Sequence, residues 1–169
     1  MTDTKKLVEE CLKQDPRAQK TLYDTYAPMM LGVCMRYARS REAAEDTLHD
    51  AFVKVFAKLH TLRNKVALED WIYHIVIYTA INNVKRERWH FEAVEVDAVE
   101  LDYSPYDVSE LLEVIQTLPA VYRTVFNLRE VDGYDYKEIA KMLKLNENSV
   151  RSILFRAKKM LKEKLTRHE

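Results

Sequence analysis

Glycine is nearly absent from this chain: Gly32 and Gly133 are the only two in 169 residues, where ordinary usage of roughly 7% would supply about twelve. Phosphate-cradling loops and dinucleotide fingerprints need several glycines within a few residues, so both are excluded. Sandwiches and small barrels turn often and want glycine and proline at those turns. With 47% apolar and 32% charged residues, the chain can bury a core, and an all-α fold is expected.

No run approaches the roughly 18 apolar residues of a membrane span, so no membrane insertion of its own is expected. Met1 to Lys6 lacks a secretory apolar core. Cys11 and Cys34 form neither a CxxC pair nor a disulfide framework, which suits a reduced, cytoplasmic protein. The five histidines are scattered, without HExxH, and no cofactor or metal is called for.

Net charge is zero, but it is unevenly spread. Residues 1–91 carry +3, residues 92–110 hold seven acids and no base, and residues 111–169 carry +4. Two basic blocks thus flank an acidic strip, and local fields of this kind steer partners. The strip, with Ser104-Pro105, reads as a linker. The expected organisation is two small helical domains, 1–91 and 108–169, joined by an acidic linker at 92–107.

Helix signals fill both blocks. Asp15-Pro16 is a cap followed by proline at the first helical position. Leu22, Tyr23, Tyr26, Met29, Met30, Val33 and Tyr37 then recur at helical spacing, with Pro28 expected to kink or divide the run. Ser40 starts a helix with the apolar stripe Ala44, Leu48, Ala51, Phe52, Val55, Phe56, Leu59. A helix from about Glu69 to Trp89 is apolar first and basic at its end. Val108 to Leu118 forms another stripe, and Val121 to Val131 a helix stopped by Asp132-Gly133.

Three constellations carry chemistry. Asp135 to Lys159 has helix-turn-helix spacing, with Lys144-Leu145-Asn146 as the turn. Val150, Leu154, Ala157 and Leu161 point inward; Asn148, Arg151, Ser152, Phe155, Arg156 and Lys159 are expected outward. Residues 137–167 hold ten bases against three acids, suited to phosphates and base edges. An ordinary helical hairpin with a solvated basic face is the plain alternative.

In the first block, Glu45, Asp46, His49 and Asp50 cluster opposite the apolar stripe. A solvated face, half of a di-metal site and a docking face all fit that pattern, although a di-metal site needs ligands that are missing. The helix from Trp71 is apolar nearly all round and runs into Lys85-Arg86-x-Arg88. Most of it must be core, yet aromatics beside a phosphate track could stack on unpaired bases.

The whole chain resembles an extracytoplasmic-function (ECF) sigma factor. Leu118-Pro119, Arg123-x-Val125-Phe126-x-Leu128-Arg129-Glu130-Val131-Asp132-Gly133-Tyr134, Glu138-Ile139-Ala140 and Ser149-Val150-Arg151-Ser152-x-Leu154-x-Arg156-Ala157 resemble the −35-binding domain. Glu45-Asp46-x-x-His49-Asp50-x-Phe52, Trp71-Ile72-Tyr73-x-Ile75 and Thr79-Ala80-Ile81-x-x-Val84-Lys85-Arg86 resemble the N-terminal domain, which docks on polymerase and reads the −10 element.

The resemblance implies a non-enzymatic factor whose partners are core RNA polymerase, promoter DNA and an anti-sigma factor. It places polymerase on Glu45, Asp46, His49 and Asp50. It places the −10 element on Arg63, Asn64, Lys65, Trp71, Tyr78, Asn82, Lys85, Arg86 and Arg88. The −35 element falls on Arg129, Asn148, Arg151, Ser152, Phe155, Arg156 and Lys159. Against the family pattern, His49 replaces a glutamine, Tyr78 and Asn82 replace Asn and Asp, Lys144 a common glycine, and Ile153 a common arginine. A stand-alone helix-turn-helix regulator with a helical sensory domain is the rival. The acidic strip (Glu95, Asp97, Glu100, Asp102) is expected either to cover the basic face or to serve as a plain spacer.

Overall fold

A computed structural model describes residues 3–85, 101–103 and 105–166. Among these the chain is helical throughout, without a strand, and it divides into two compact units, Met1–Asn83 and Val84–Glu169. Arg86, Arg88 and most of the acidic strip, with Glu95, Asp97 and Glu100, lie outside the described residues.

The first unit contains α1 (Asp3–Leu12), α2 (Pro16–Tyr37), α3 (Arg41–Lys58) and most of α4 (Leu68–Val84). Local chemistry sets the helix starts. The Asp15 carboxylate accepts from the Arg17 N–H with Pro16 in the first turn, and the Ser40 hydroxyl accepts from the Ala43 N–H. Each such cap satisfies an otherwise orphan donor and contributes about 1 kcal/mol.

Pro28 does not divide the run. α2 continues through it to Tyr37, because Leu22 and Ala27 before the proline and Met30, Val33 and Cys34 after it are buried together. At about 1.5–3 kcal/mol for each large apolar side chain, that burial outweighs one lost backbone bond. Tyr23 and Met29 of the same run are instead exposed. Tyr23 still stands edge-on to Phe52 of α3, with ring centroids 4.8 Å apart.

α4 buries Ile72, Val76, Ile77, Ala80 and Ile81. Side-chain bonds tie it to the helices around it: Arg36 to the Tyr73 hydroxyl (3.2 Å), Lys54 to Thr79 (3.4 Å), and Asn83 to Thr47 (3.1 Å).

The second unit contains α5 (Val108–Gln116), α6 (Ala120–Phe126), a π-helical turn (Asn127–Val131), α7 (Tyr136–Leu143) and α8 (Glu147–Thr166). Val121, Val125, Leu128, Ile139, Ile153, Ala157 and Leu161 form its core. Arg123 is buried within it. Its guanidinium donates to the carbonyls of Leu118 (2.9 Å) and Gln116 (3.4 Å), placing a cation at the end of α5 where the helix dipole favours one.

The helix expected from Val121 to Val131 is thus α-helical only to Phe126. The Asp132 N–H then bonds the Asn127 carbonyl five residues back, and Gly133 completes the turn at φ +77°.

Candidate functional site

On α3, Ala44, Leu48, Ala51 and Val55 face the core, so the helical period puts Glu45, Asp46, His49 and Asp50 on the exposed side. Glu45 pairs with Arg41 one turn earlier, at 3.0 Å. Asp50 accepts from the Asn83 amide at 3.2 Å. Val53, one turn beyond His49, is also exposed and gives this acidic face an apolar edge. Val53 belongs to neither the apolar stripe nor the acidic cluster legible in the sequence, so no local pattern marks it.

α4 settles what its composition leaves open. Its exposed side carries His74, Tyr78 and Asn82, with half-buried Trp71 beginning the same row at spacings of three or four residues, and exposed Lys85 directly follows the last residue of the helix. Tyr78 is 49% exposed while its neighbour Ile77 is fully buried. Nothing in composition marks His74 as a member of this row, since the histidines are scattered along the chain. Ahead of α4, Arg63 and Asn64 are exposed, but Lys65 is half-buried and paired with Glu9 of α1 at 3.3 Å.

The helix-turn-helix is built by caps and packing together. Asp135 and Glu138 form a reciprocal capping box at the start of α7, and the Asn146 carboxamide accepts from the Ser149 N–H before α8. Between them Lys144 ends α7 in the left-handed region, φ 55° and ψ 43°. That conformation explains why glycine suits the position.

On α8, Asn148, Arg151 and Lys159 are exposed, and Phe155 and Arg156 are half-buried. Ser152 is not on the outward face. It is 3% exposed, and its hydroxyl donates to the Asn148 carbonyl at 3.0 Å, because α8 buries Ser149, Ile153 and Ala157 as well as the expected stripe. Lys158 pairs with Glu130 of the π turn at 2.6 Å, fastening α8 to the segment that carries Arg129.

Arg129 donates to the Tyr134 carbonyl at 3.2 Å. Its guanidinium lies 4.6 Å from the Tyr136 ring centroid, and that of Arg151 lies 4.7 Å from the same centroid. Tyr136 is the first residue of α7, and its place in the sequence marks it only as helix. No sequence period links residues 129, 136 and 151, and only the fold brings them together.

Close to this face, Tyr103 packs edge-on to Phe126 with centroids 6.3 Å apart. Burial, with the Glu130 carboxylate nearby, pushes its phenol well above the ordinary range. Among the described residues no cluster of three or more His, Cys, Asp or Glu is placed to hold a metal ion, and no helix is long and apolar enough to cross a membrane.

Two family models match the chain. Residues 22–90 match the family described as Sigma-70 region 2, and residues 109–161 that described as Sigma-70, region 4. The chain is 30% identical to the RNA polymerase sigma-H factor of Pseudomonas aeruginosa, over 94% of this chain and 92% of that one. It is 29% identical to the ECF RNA polymerase sigma-E factor of Escherichia coli, with the same coverage. Among solved structures, CnrH in complex with the cytosolic domain of CnrY has a similar fold, with a TM-score of 0.52 at 16% identity over 96% of this chain and 97% of that chain.

Proposed function

The chain belongs to the ECF sigma factors of the sigma-70 family, which bind core RNA polymerase and direct it to promoters, and from that premise we propose how its surfaces divide the work. The exposed side of α3, with Glu45, Asp46, His49, Asp50 and the apolar edge Val53, docks on the polymerase. The row Trp71, His74, Tyr78 and Asn82 on α4, with Arg63, Asn64 and the basic residues Lys85, Arg86 and Arg88 that follow the helix in sequence, takes the −10 element. The second unit takes the −35 element: Asn148, Arg151 and Phe155 toward bases, Arg129, Arg156 and Lys159 toward phosphates. Ser152 serves the fold of α8, and Lys65 is engaged by Glu9.

The observation that carries this reading is Tyr78. A helix that buries Ile72, Ile77 and Ile81 nevertheless leaves an aromatic ring 49% exposed, one turn before the exposed Asn82 amide and ahead of the exposed Lys85 that follows the helix. Unpaired bases stack on such rings while cations hold the backbone. The domain boundaries 1–91, 92–107 and 108–169 follow the same division of labour. The chain works in the cytoplasm, where polymerase is, and is held inactive there by an anti-sigma factor. It is not itself an enzyme, since polymerase performs the chemistry.

Run-off transcription with purified core polymerase on genomic fragments tests the whole. Promoter-specific transcripts that need this chain are expected. Tight duplex binding without polymerase, and no transcript with it, would instead indicate a stand-alone regulator.

A further inference from the structure

We infer that Tyr136 is a positioning residue for promoter recognition, a shared aromatic platform that holds Arg129 and Arg151 in their DNA-facing arrangement; this rests on the reading of those two arginines as −35 contacts. The two come from different elements, the π turn and the second turn of α8, yet their guanidinium carbons lie 4.6 and 4.7 Å from one ring centroid. Both distances fall within the range in which a ring quadrupole attracts a cation.

The ring is itself fixed. Tyr136 follows the Asp135 cap directly, and the Asp135–Glu138 capping box sets the start of α7. Arg129 has one further anchor, the Tyr134 carbonyl at 3.2 Å. Arg151 has less: Glu147 stands 3.9 Å away in an exposed i,i+4 pair, which holds a side chain weakly. Without the ring, Arg151 would sweep many rotamers and lose that freedom only on binding DNA. With it, the guanidinium plane is set beforehand, as bidentate contact with a base edge requires. The ring also gathers two like charges, an arrangement that a bound phosphate relieves.

The test uses the full chain assembled with core polymerase and a fluorescent duplex selected by the wild-type assembly from a pool randomised across the −35 region. Affinity is measured on that duplex, on duplexes with each base pair changed, and across salt, with thermal melting to follow the fold. Tyr136→Phe keeps the ring and should bind within about twofold of wild type. Tyr136→Leu, and pentafluorophenylalanine placed at 136 with its reversed quadrupole, should each lose about fivefold, the size of one or two exposed cation–π contacts. Discrimination should flatten at the same base pair that Arg151→Ala flattens.

With Arg129→Ala and Arg151→Ala both present, Tyr136→Leu should add less than about twofold, because nothing is left to position. The proposal is overturned if the fluorinated ring binds like phenylalanine, since packing alone is then the role, or if the Tyr136→Leu loss persists without the arginines, since the ring then acts on DNA directly. Should the two arginine variants alone leave affinity unchanged, the −35 assignment on which the proposal rests fails, a result legible before Tyr136 is altered.

Discussion

The Asn83 side-chain amide donates to the Asp50 carboxylate at 3.2 Å and to the Thr47 hydroxyl at 3.1 Å, so the end of α4 is fastened to the acidic face of α3. The two surfaces proposed for polymerase and for the −10 element are thereby set relative to each other.

Docking variants should separate on this account. Asp46→Lys and Asp50→Lys should each weaken binding to core polymerase by about 1–3 kcal/mol, the range for one charged interfacial contact. Asp50→Lys should also lower the stability of the free chain by about 1 kcal/mol through loss of the Asn83 bond, with a smaller effect for Asp46→Lys. Co-purification with polymerase and urea unfolding measure the two effects. Wild-type polymerase binding by both variants would remove the acidic face from the docking surface.

In α4, neighbouring residues should behave oppositely. Ile77→Ala deletes a fully buried side chain and should cost about 2–5 kcal/mol of stability. Tyr78→Ala should leave stability within about 0.5 kcal/mol while impairing promoter opening. Permanganate footprinting of unpaired thymines in the polymerase complex reads the second effect, and normal opening by Tyr78→Ala would withdraw the −10 role from that ring.

Along α8, Arg151→Ala should cost about 1–3 kcal/mol on the cognate −35 sequence and relax preference there. Lys159→Ala should weaken all sequences alike and lower the salt slope by about one unit. Ser152→Ala should leave base preference unchanged, since its hydroxyl is turned to the Asn148 carbonyl. Altered preference in Ser152→Ala would return that residue to the reading face.

Lys144 holds φ 55° between α7 and α8, a conformation that costs a non-glycine residue about 1–2 kcal/mol. Lys144→Gly relieves it but frees the unfolded chain, so a net gain of about 0.5–1 kcal/mol is expected in urea unfolding. A loss would mean that the lysine side chain stabilises the turn by more than the backbone strain.

Cys34 gives a pH dependence of known sign. Burial pushes its thiol up to about 12, against about 8.5 when unfolded. The folded chain therefore keeps a proton that the unfolded chain releases, and stability falls as pH rises above about 8.5. By pH 10 this one group should cost about 2 kcal/mol. Comparing unfolding at pH 8 and pH 10 in wild type and Cys34→Ala isolates it. An equal pH loss in both would assign the effect to other groups.

The sequence by itself determined whatever depends on neighbours a few residues apart. Scarce glycine excluded turn-rich folds, and Asp15-Pro16 and Ser40 announced their helices because a cap acts over only two or three residues. The strict period of Val150, Leu154, Ala157 and Leu161 set the inner face of α8. The acidic side of α3 was legible for the same reason, being the complement of a clean apolar stripe. Tertiary structure alone decided the rest, where local patterns were degenerate or the partners lay far apart. α4 is apolar on nearly every side, so only packing could choose Ile77 for the core and leave Tyr78 out. Pro28 left a kink or a division open, and burial on both sides of it kept α2 in one piece. Ser152 fell inside because α8 is covered over a wider arc than its stripe showed. The gathering of Arg129 and Arg151 on Tyr136 spans a π turn, a loop and a helix-turn-helix, and no sequence period encodes a contact made through three separate elements.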